Sequence, residues 1–372
     1  MKKIYIIAGE ASGDLHASNL MKSMLQKEKN IDFRYWGGDS MSEVQGKPVK
    51  HISELAFMGF IEVVTNLKTI LGNIKFCKED ILKYQPDTLV LVDYPGFNIR
   101  IAKWAKKQGI KVIYYISPQI WAWKQSRVHT IKKVVDKMLV ILPFEKEFYA
   151  QFGMDVTFVG HPLLDAIEQY KAKVNKIDLK SKYNLDDKPI IALLPGSRKQ
   201  EVSKKLPIML ESIKDFQGYQ FVIAGASVLP KSYYEPFLKS SNVQLLHGET
   251  YDLLSISTAA LVTSGTATLE TALFGIPEVV CYKGNPISYL IAKRLIKVKY
   301  ISLVNLILDK QAVKELIQAE CNPKQIRAEL KAILPEGNKR QQLEKDYQEL
   351  IQILGAGGAS NKAADEVLRE VR

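Results

Sequence analysis

Short apolar runs rich in β-branched residues alternate along the chain with stretches of helical periodicity. Such runs between turn residues predict buried strands, and their alternation with helical stretches predicts βα units that build parallel sheets. In the first half of the chain we predict strands at residues 4–8, 33–36, 88–92, 112–116, 138–142 and 157–159.

A second set of strands follows after a gap in the pattern. We predict its strands at residues 190–194, 221–224, 244–246, 260–263 and 278–281. The fold class is therefore α/β with two Rossmann-like domains, and helix formers dominate after about residue 323. We predict an N-terminal domain at 1–165, a linker at 166–188, a second domain at 189–335 and a helical tail at 336–372.

Length and composition agree with this organisation. The chain has 372 residues, of which 47% are hydrophobic and 25% charged, as expected for two globular domains. Its three cysteines have neither a zinc-ligand spacing nor a disulfide framework, which favours a reducing compartment. The first apolar run is too short for a signal peptide, and no apolar window is long enough to span a membrane. We expect a cytoplasmic protein that is able to lie on a membrane surface.

The net charge of +12 is unevenly distributed. Residues 94–135 contain nine Lys or Arg and no carboxylate, and residues 279–308 contain five and again none. Such clustering fits an anionic partner, whether a phosphate ligand, an acidic lipid or a nucleic acid. A solvated basic face explains either stretch equally well.

Candidate chemistry in the first half lies where strands end, because ligands of open α/β sheets collect there. The first strand runs into a glycine-rich turn that can hold an anion or a sugar, or can simply begin a capped helix. Asp93 follows a buried strand and occupies a position suited to a general base, although a helix cap is an equal alternative. Trp121 and Trp123, beside Lys124, suit a sugar or an acyl chain but are more often core residues. His161 lines a cleft or stabilises a turn.

In the second half, two strand ends carry groups suited to a diphosphate. Arg198 follows a Pro-Gly-Ser turn and has the shape to bind phosphate oxygens. Residues 264–266 form a hydroxyl- and glycine-rich turn before a helix that bears Glu270, which can accept ribose hydroxyls. An ordinary capped helix is the alternative. The chain contains no Asp-x-Asp pair, so we expect a mechanism without a metal ion and without a cofactor.

An apolar stripe at helical spacing, with lysines nearby, follows residue 60. If exposed it would contact acyl chains or a bilayer surface, although a core-facing helix is the commoner explanation. Its lipid-contact candidates are Ile61, Val64, Leu67, Ile70 and Leu71.

Nine motifs, in order and over nearly the whole chain, resemble the bacterial lipid-A-disaccharide synthase family. They are GEASGD at 9–14, AFMGFIEV at 56–63, DYPGFN at 93–98, SPQIWAW at 117–123, LPFE at 142–145, GHP at 160–162, LPGSR at 194–198, SGTATLE at 264–270 and SLVNL at 302–306. Any one of these motifs alone would be weak, but their ordered agreement is specific.

The resemblance implies a GT-B glycosyltransferase of lipid A and lipopolysaccharide biosynthesis. Such an enzyme joins UDP-2,3-diacylglucosamine to 2,3-diacylglucosamine 1-phosphate, inverts the anomeric carbon and releases UDP. It implies Asp93 as the base and Arg198 as an active-site cation. The nucleotide-sugar contacts that we expect are Gly196, Ser197, Arg198, Ser264, Gly265, Thr266, Glu270 and Asn305. The acceptor or sugar contacts that we expect are Gly9, Glu10, Ser12, Gly13, Asp14, Met58, Gln119, Trp121 and His161.

The same resemblance implies a peripheral enzyme on the inner face of the inner membrane, with no nucleic-acid partner. The helical tail would return to its own first domain or, in a homodimer with exchanged C-terminal helices, to that of a partner. Two rival functions are another GT-B enzyme, such as a UDP-N-acetylglucosamine transferase or epimerase, and a non-catalytic nucleotide-sugar-binding protein at the membrane.

Overall fold

Buried apolar strands form the centre of each of two units of the chain. The computed structural model describes residues 1–55, 67–239, 243–295 and 298–371. The first unit comprises Met1–Asp165 together with Gly357–Arg372, and the second comprises Ala166–Ala356. The central strands of both units are fully buried along their length, as parallel strands covered on both faces must be.

In the described part of the first unit, seven parallel strands form one sheet in the order β3-β2-β1-β4-β5-β6-β7. The strands are β1 (Lys2–Ala8), β2 (Ile31–Gly37), β3 (Lys50–His51), β4 (Thr88–Val92), β5 (Lys111–Tyr115), β6 (Lys137–Val140) and β7 (Thr157–Phe158). Because β1 lies between β2 and β4, the chain order reverses there, and such a reversal opens a crevice at the carboxyl ends of the strands.

Helices connect these strands. They are α1 (Ala11–Lys27), α2 (Asp39–Ser42), α3 (Leu67–Tyr84), α4 (Pro95–Lys107), α5 (Ile120–Trp123), α6 (Val128–Val134), α7 (Pro143–Ala150) and α8 (Pro162–Lys171), whose end belongs to the second unit.

The second unit repeats the architecture. Its described strands form a six-stranded parallel sheet in the order β10-β9-β8-β11-β12-β13. They are β8 (Ile190–Leu194), β9 (Gln220–Gly225), β10 (Gln244–His247), β11 (Ser257–Thr263), β12 (Glu278–Tyr282) and β13 (Lys314–Ile317). Its helices are α9 (Lys176–Lys182), α10 (Lys199–Ser212), α11 (Glu235–Lys239), α12 (Thr250–Ile256), α13 (Thr266–Leu273), α14 (Pro286–Leu295), α15 (Leu303–Leu308), α16 (Pro323–Ile333) and α17 (Arg340–Leu354).

The last helix, α18 (Ala359–Glu370), returns to the first unit and packs against α1. Small buried side chains, among them Ala363 and Ala364, allow the two helices to approach closely. Asp165 accepts hydrogen bonds from the backbone N–H groups of Ala359 and Ser360 at 3.3 and 2.9 Å, which caps the start of α18.

The predicted fold class is confirmed, and the eleven predicted strands are all present, two with the predicted bounds and the others with bounds that shift by at most three residues. The pattern missed β3 and β13, each at the edge of its sheet. Both are short and include charged residues, so neither reads as a buried apolar run. Within the described residues, no helix is long and apolar enough to cross a membrane.

Candidate functional site

Asp93 stands at the carboxyl end of β4, in a strained segment of backbone. Asp93 and Tyr94 have φ angles of +44° and +49°, and Ile116, at the end of the neighbouring β5, has +66°. Residues other than glycine seldom adopt this left-handed conformation, and such strain clusters at functional sites. The backbone N–H of Asp93 donates to the carbonyl of Tyr115 at 3.0 Å, so β5 holds the turn in place.

Two side-chain hydrogen bonds and the packing of Tyr94 against Gly9 also hold this turn in place. Asn98 Nδ2 and Tyr114 Oη donate to the carbonyl oxygen of Asp93 at 2.8 and 2.6 Å. At Gly9, the end of β1, any Cβ atom would overlap the ring of Tyr94, so only glycine fits there. The Asp93 carboxylate is therefore presented from a rigid position.

The protonation of Asp93 is tuned by its surroundings. Burial and, second, the negative charge of Glu10 raise the pKa of Asp93 to about 7, while a hydrogen bond from the Tyr94 backbone opposes them. An aspartate in water has a pKa of about 3.9 and is fully ionised at neutral pH. A general base works best when its pKa lies near the operating pH, so this environment suits Asp93 to proton transfer.

In the rest of the 9–14 turn, Ser12 is exposed to solvent, whereas Gly13 and Asp14 are buried and make contacts within the protein. Ser12 is exposed at the start of α1, and Gly13 packs against Ala8. Asp14 is buried, and its carboxylate accepts the backbone N–H groups of Gly38, Ser40 and Met41 at 2.6, 3.0 and 3.2 Å. The N-cap residue of α1 is Glu10, and Asp14 connects α1 to the start of α2.

The strand ends of β5 and β6 carry the next set of predicted contacts. Gln119 is exposed at the start of α5. Trp121 is buried, and its indole N–H donates to Glu145 at 3.2 Å. Glu145 also accepts the backbone N–H of Leu142 at 3.0 Å, and burial raises its pKa to about 7. Trp121 is therefore buried within the first unit, which agrees with the alternative that it is a core residue.

The His161 side chain is hydrogen-bonded to the protein backbone. It is buried, and its Nδ1 accepts the N–H of Leu163 at 3.3 Å. Burial, with a smaller effect from His16, lowers the pKa of His161 to about 3. A neutral histidine that caps its own turn matches the structural alternative for this residue.

The lipid-contact candidates are only partly described. Met58, Ile61 and Val64 lie outside the described residues. Helix α3 begins at Leu67, Ile70 is half-buried, and Leu71 is 52% exposed. Further along α3, Phe76 and Leu82 are also exposed, so this helix presents several large apolar side chains to solvent.

In the second unit, β8 ends in a turn shaped by Glu201. A Cβ atom at Gly196 would overlap the Glu201 side chain, and φ of Gly196 is +109°, so glycine is required. Glu201 Oε2 accepts the backbone N–H groups of Ser197 and Arg198 at 3.1 and 3.3 Å. The Arg198 side chain is 61% exposed and only loosely paired with Glu201 at 3.5 Å, so its guanidinium is available to an anion.

The glycine turn, which we define as Ser264, Gly265 and Thr266, follows β11. It lies beside the Arg198 turn because β11 and β8 are paired, with Val262 opposite Leu194. Gly265 is the N-cap residue of α13, and within the described part of the chain no side chain caps this helix start, which leaves N–H groups of its first turn for a ligand.

Glu270 follows one turn later on the same helix. Burial raises its pKa, while a hydrogen bond from Tyr251 Oη at 2.9 Å to Oε1 opposes that rise. Tyr251 leaves the other carboxylate oxygen of Glu270 for a hydroxyl of a ligand.

The Asn305 side chain is held by hydrogen bonds within the protein. It is fully buried, and its Nδ2 donates to the carbonyl of Val313 and to Glu315, each at 2.9 Å. Its Oδ1 accepts the Val313 N–H at 2.9 Å. Each polar atom of the amide therefore has a partner in the protein, and the expected nucleotide contact of Asn305 stays a prediction.

Comparison with known proteins agrees with these motifs. A profile of the family described as lipid-A-disaccharide synthetase matches residues 4–370. The chain is 41% identical over 371 residues to the lipid-A-disaccharide synthase of Syntrophus aciditrophicus, covering 98% of this chain and 96% of that protein. The chain belongs to the lipid-A-disaccharide synthetase family. It is a glycosyltransferase of lipid A biosynthesis, which confirms the function that the ordered motifs implied.

Solved structures support the GT-B fold of this synthetase family member. UDP-GlcNAc 2-epimerase from Neisseria meningitidis, bound to UDP-GlcNAc, has a TM-score of 0.70 at 16% identity, covering 99% of this chain and 100% of that one. The glycosyltransferase of kitacinnamycin has a TM-score of 0.67 at 14% identity, covering 100% and 99%. At these identities the likeness extends to the fold alone.

Sequence reasoning missed three polar residues that shape the synthetase's candidate sites: Tyr251, Glu145 as a partner of Trp121, and Glu315. Tyr251 is 19 residues from Glu270 and Glu315 is 10 residues from Asn305, and no spacing rule connects either pair. Among the described residues, no group of three or more His, Cys, Asp or Glu side chains is placed to hold a metal ion.

Proposed function

We propose that this enzyme joins UDP-2,3-diacylglucosamine to 2,3-diacylglucosamine 1-phosphate in a single displacement that releases UDP. Asp93 accepts the proton of the acceptor's 6-hydroxyl as that oxygen attacks the anomeric carbon of the donor. The bond from the anomeric carbon to the diphosphate breaks, so the α-linked donor gives a β-linked disaccharide. No covalent intermediate between sugar and enzyme is needed.

The observation that carries the proposal is the state of Asp93. Its carboxylate stands on a strained strand end with a pKa of about 7, near the pH at which it must accept a proton. A carboxylate that served only as a helix cap would gain nothing from this tuning. The N-cap position of α4 is occupied by Tyr94 and not by Asp93, and the Tyr94 side chain makes no cap hydrogen bond.

The leaving diphosphate requires positive charge and N–H donors. Arg198 has an exposed guanidinium, and the start of α13 has N–H groups without a side-chain cap. Both are groups that stabilise a developing negative charge in a transition state. We assign Arg198 and the glycine turn to the diphosphate, and Glu270 to the ribose of the donor.

The acylated substrates lead to a further part of the proposal, a peripheral position at the inner face of the inner membrane. Helix α3 supports it because its exposed Leu71 and Phe76 stand beside lysines that anionic lipid headgroups attract. A homodimer that exchanges α18 also remains a proposal. The ion pair of Lys27 with Asp365 at 2.9 Å would form equally between two copies.

The test is formation of radiolabelled disaccharide in detergent with EDTA, from synthetic UDP-diacylglucosamine and diacylglucosamine 1-phosphate. We expect product from the wild type and at least a roughly 100-fold lower rate from Asp93→Asn, with UDP binding retained. Equal rates would remove Asp93 as the base. Turnover of a non-acylated UDP-sugar alone would favour a soluble-donor transferase or an epimerase, and no turnover with any donor would favour a binding protein.

A further inference from the structure

Glu315, on the edge strand β13, is a buried carboxylate whose hydrogen-bond partners are N–H groups. Its Oε1 accepts the backbone N–H of Ser302 at 2.9 Å and Asn305 Nδ2 at 2.9 Å. Its two oxygens share the backbone N–H of Ile301, at 3.1 and 3.0 Å. A buried charge needs such partners to remain in place, so the carboxylate and the 301–302 segment hold each other.

The 301–302 segment in turn holds the glycine turn. Ser264 Oγ donates to the carbonyl oxygen of Ile301 at 3.1 Å. That carbonyl belongs to the same peptide group as the Ser302 N–H, which Glu315 accepts. One peptide group therefore connects the hydroxyl of Ser264 to the carboxylate of Glu315, and hydrogen bonds in series through a peptide strengthen one another.

This chain of bonds determines how Ser264 faces a ligand. Its hydroxyl proton is directed to Ile301, and its backbone N–H donates to the carbonyl of Cys281 at 3.2 Å. Ser264 therefore has no remaining donor for a phosphate oxygen, and the phosphate-facing donors of the turn must come from the start of α13. What Ser264 supplies is the position of that helix start.

We propose that Glu315 is a positioning residue for the diphosphate of the donor. Its carboxylate fixes the peptide group between Ile301 and Ser302, that peptide fixes Ser264, and Ser264 fixes the N-terminus of α13. Asn305 takes part in the same hydrogen-bond network, because its amide donates to the Glu315 carboxylate and orients it. The inference rests on the proposed function, since it takes the glycine turn as the diphosphate site.

The experiment measures the Kd for UDP by calorimetry in the full chain and the KM for donor and acceptor. Glu315→Gln keeps the size of the side chain but removes the charge, so we expect the Kd for UDP to rise roughly tenfold. The KM for the donor should rise with it, while the KM for the acceptor stays within twofold. Glu278→Gln is the matched control, because Glu278 is also buried, on the neighbouring strand, but its carboxyl oxygens have no hydrogen-bond partner among the described residues.

A double-mutant cycle separates positioning from general destabilisation. If Glu315 acts through Ser264, then Ser264→Ala raises the Kd, and Glu315→Gln adds little in the Ser264→Ala background. Independent, multiplicative effects of the two changes would overturn the inference, as would a Kd for Glu315→Gln within twofold of wild type. If Glu315→Gln fails to fold, Glu315→Asp, which retains the charge but not the reach, replaces it with the same expectations. A wild type that binds no UDP would instead refute the proposed function.

Discussion

Glu10 and Asp93 leave neighbouring strands of one parallel sheet, and the charge of the first raises the pKa of the second. Glu10 is two residues beyond Ala8, and Asp93 is one residue beyond Val92, the partner of Ala8 in the β1–β4 ladder. The charge of Glu10 adds to the effect of burial, so Asp93 keeps its proton to higher pH than an ordinary aspartate does.

The first prediction follows from that pairing. Glu10→Gln removes a negative charge near Asp93 and so lowers the pKa of Asp93, which burial, the larger cause, still holds above the ordinary value. The acidic limb of the profile of kcat/KM against pH should therefore move to lower pH. Glu28→Gln, at the opposite end of α1, is the matched control and should leave the limb in place. An unmoved limb in Glu10→Gln would show that Glu10 does not tune the base.

The second prediction concerns the exposed guanidinium of Arg198. Arg198→Ala should lower kcat by about 100-fold or more and weaken inhibition by UDP, because the cation stabilises the leaving diphosphate. The thermal midpoint should change little, since the side chain is exposed and only loosely paired. Arg327→Ala, which breaks an exposed pair with Asp215 in the same unit, is the control and should leave kcat intact. Equal kcat values for the two variants would contradict the assignment.

The third prediction concerns Glu278. Burial raises the pKa of Glu278 well above its usual value. The folded protein retains this proton to a higher pH than the unfolded chain does. Its contribution to stability is therefore fully present below the unfolded pKa, near 4.5, and is lost as pH rises through the folded pKa.

The amide introduced by Glu278→Gln has no proton to lose in this pH range. The free energy of unfolding of the variant should therefore increase relative to that of wild type as pH rises above about 5, by at most about 1.4 kcal/mol per pH unit. Denaturant titrations of both proteins at several pH values measure this difference. A difference that stays constant with pH would mean that Glu278 titrates normally.

The sequence predicted the two sheets and the positions of Asp93 and Arg198 because buried strands and the turns after them leave local patterns. It could not predict the pKa of Asp93, which depends first on burial in the folded unit and then on the charge of Glu10, a residue brought near only by the pairing of β1 with β4. Asp14 and Asn305 show the same limit. A polar residue next to a motif reads as a ligand contact, whereas its hydrogen bonds to distant backbone become visible only in the fold.

The last prediction concerns the exposed face of α3. Leu71 and Phe76 are 52% and 45% exposed, and replacing both with Glu should reduce co-sedimentation with vesicles of phosphatidylglycerol several-fold. The loss has two causes, because each change removes apolar area and adds a charge that anionic lipid repels. Val228→Glu is the control, since Val228 is 66% exposed in the second unit and is outside the proposed lipid face. Activity in detergent should survive in all variants, because none of the changes touches the proposed catalytic residues. Vesicle binding that persists in the α3 double variant would assign the membrane contact to another surface.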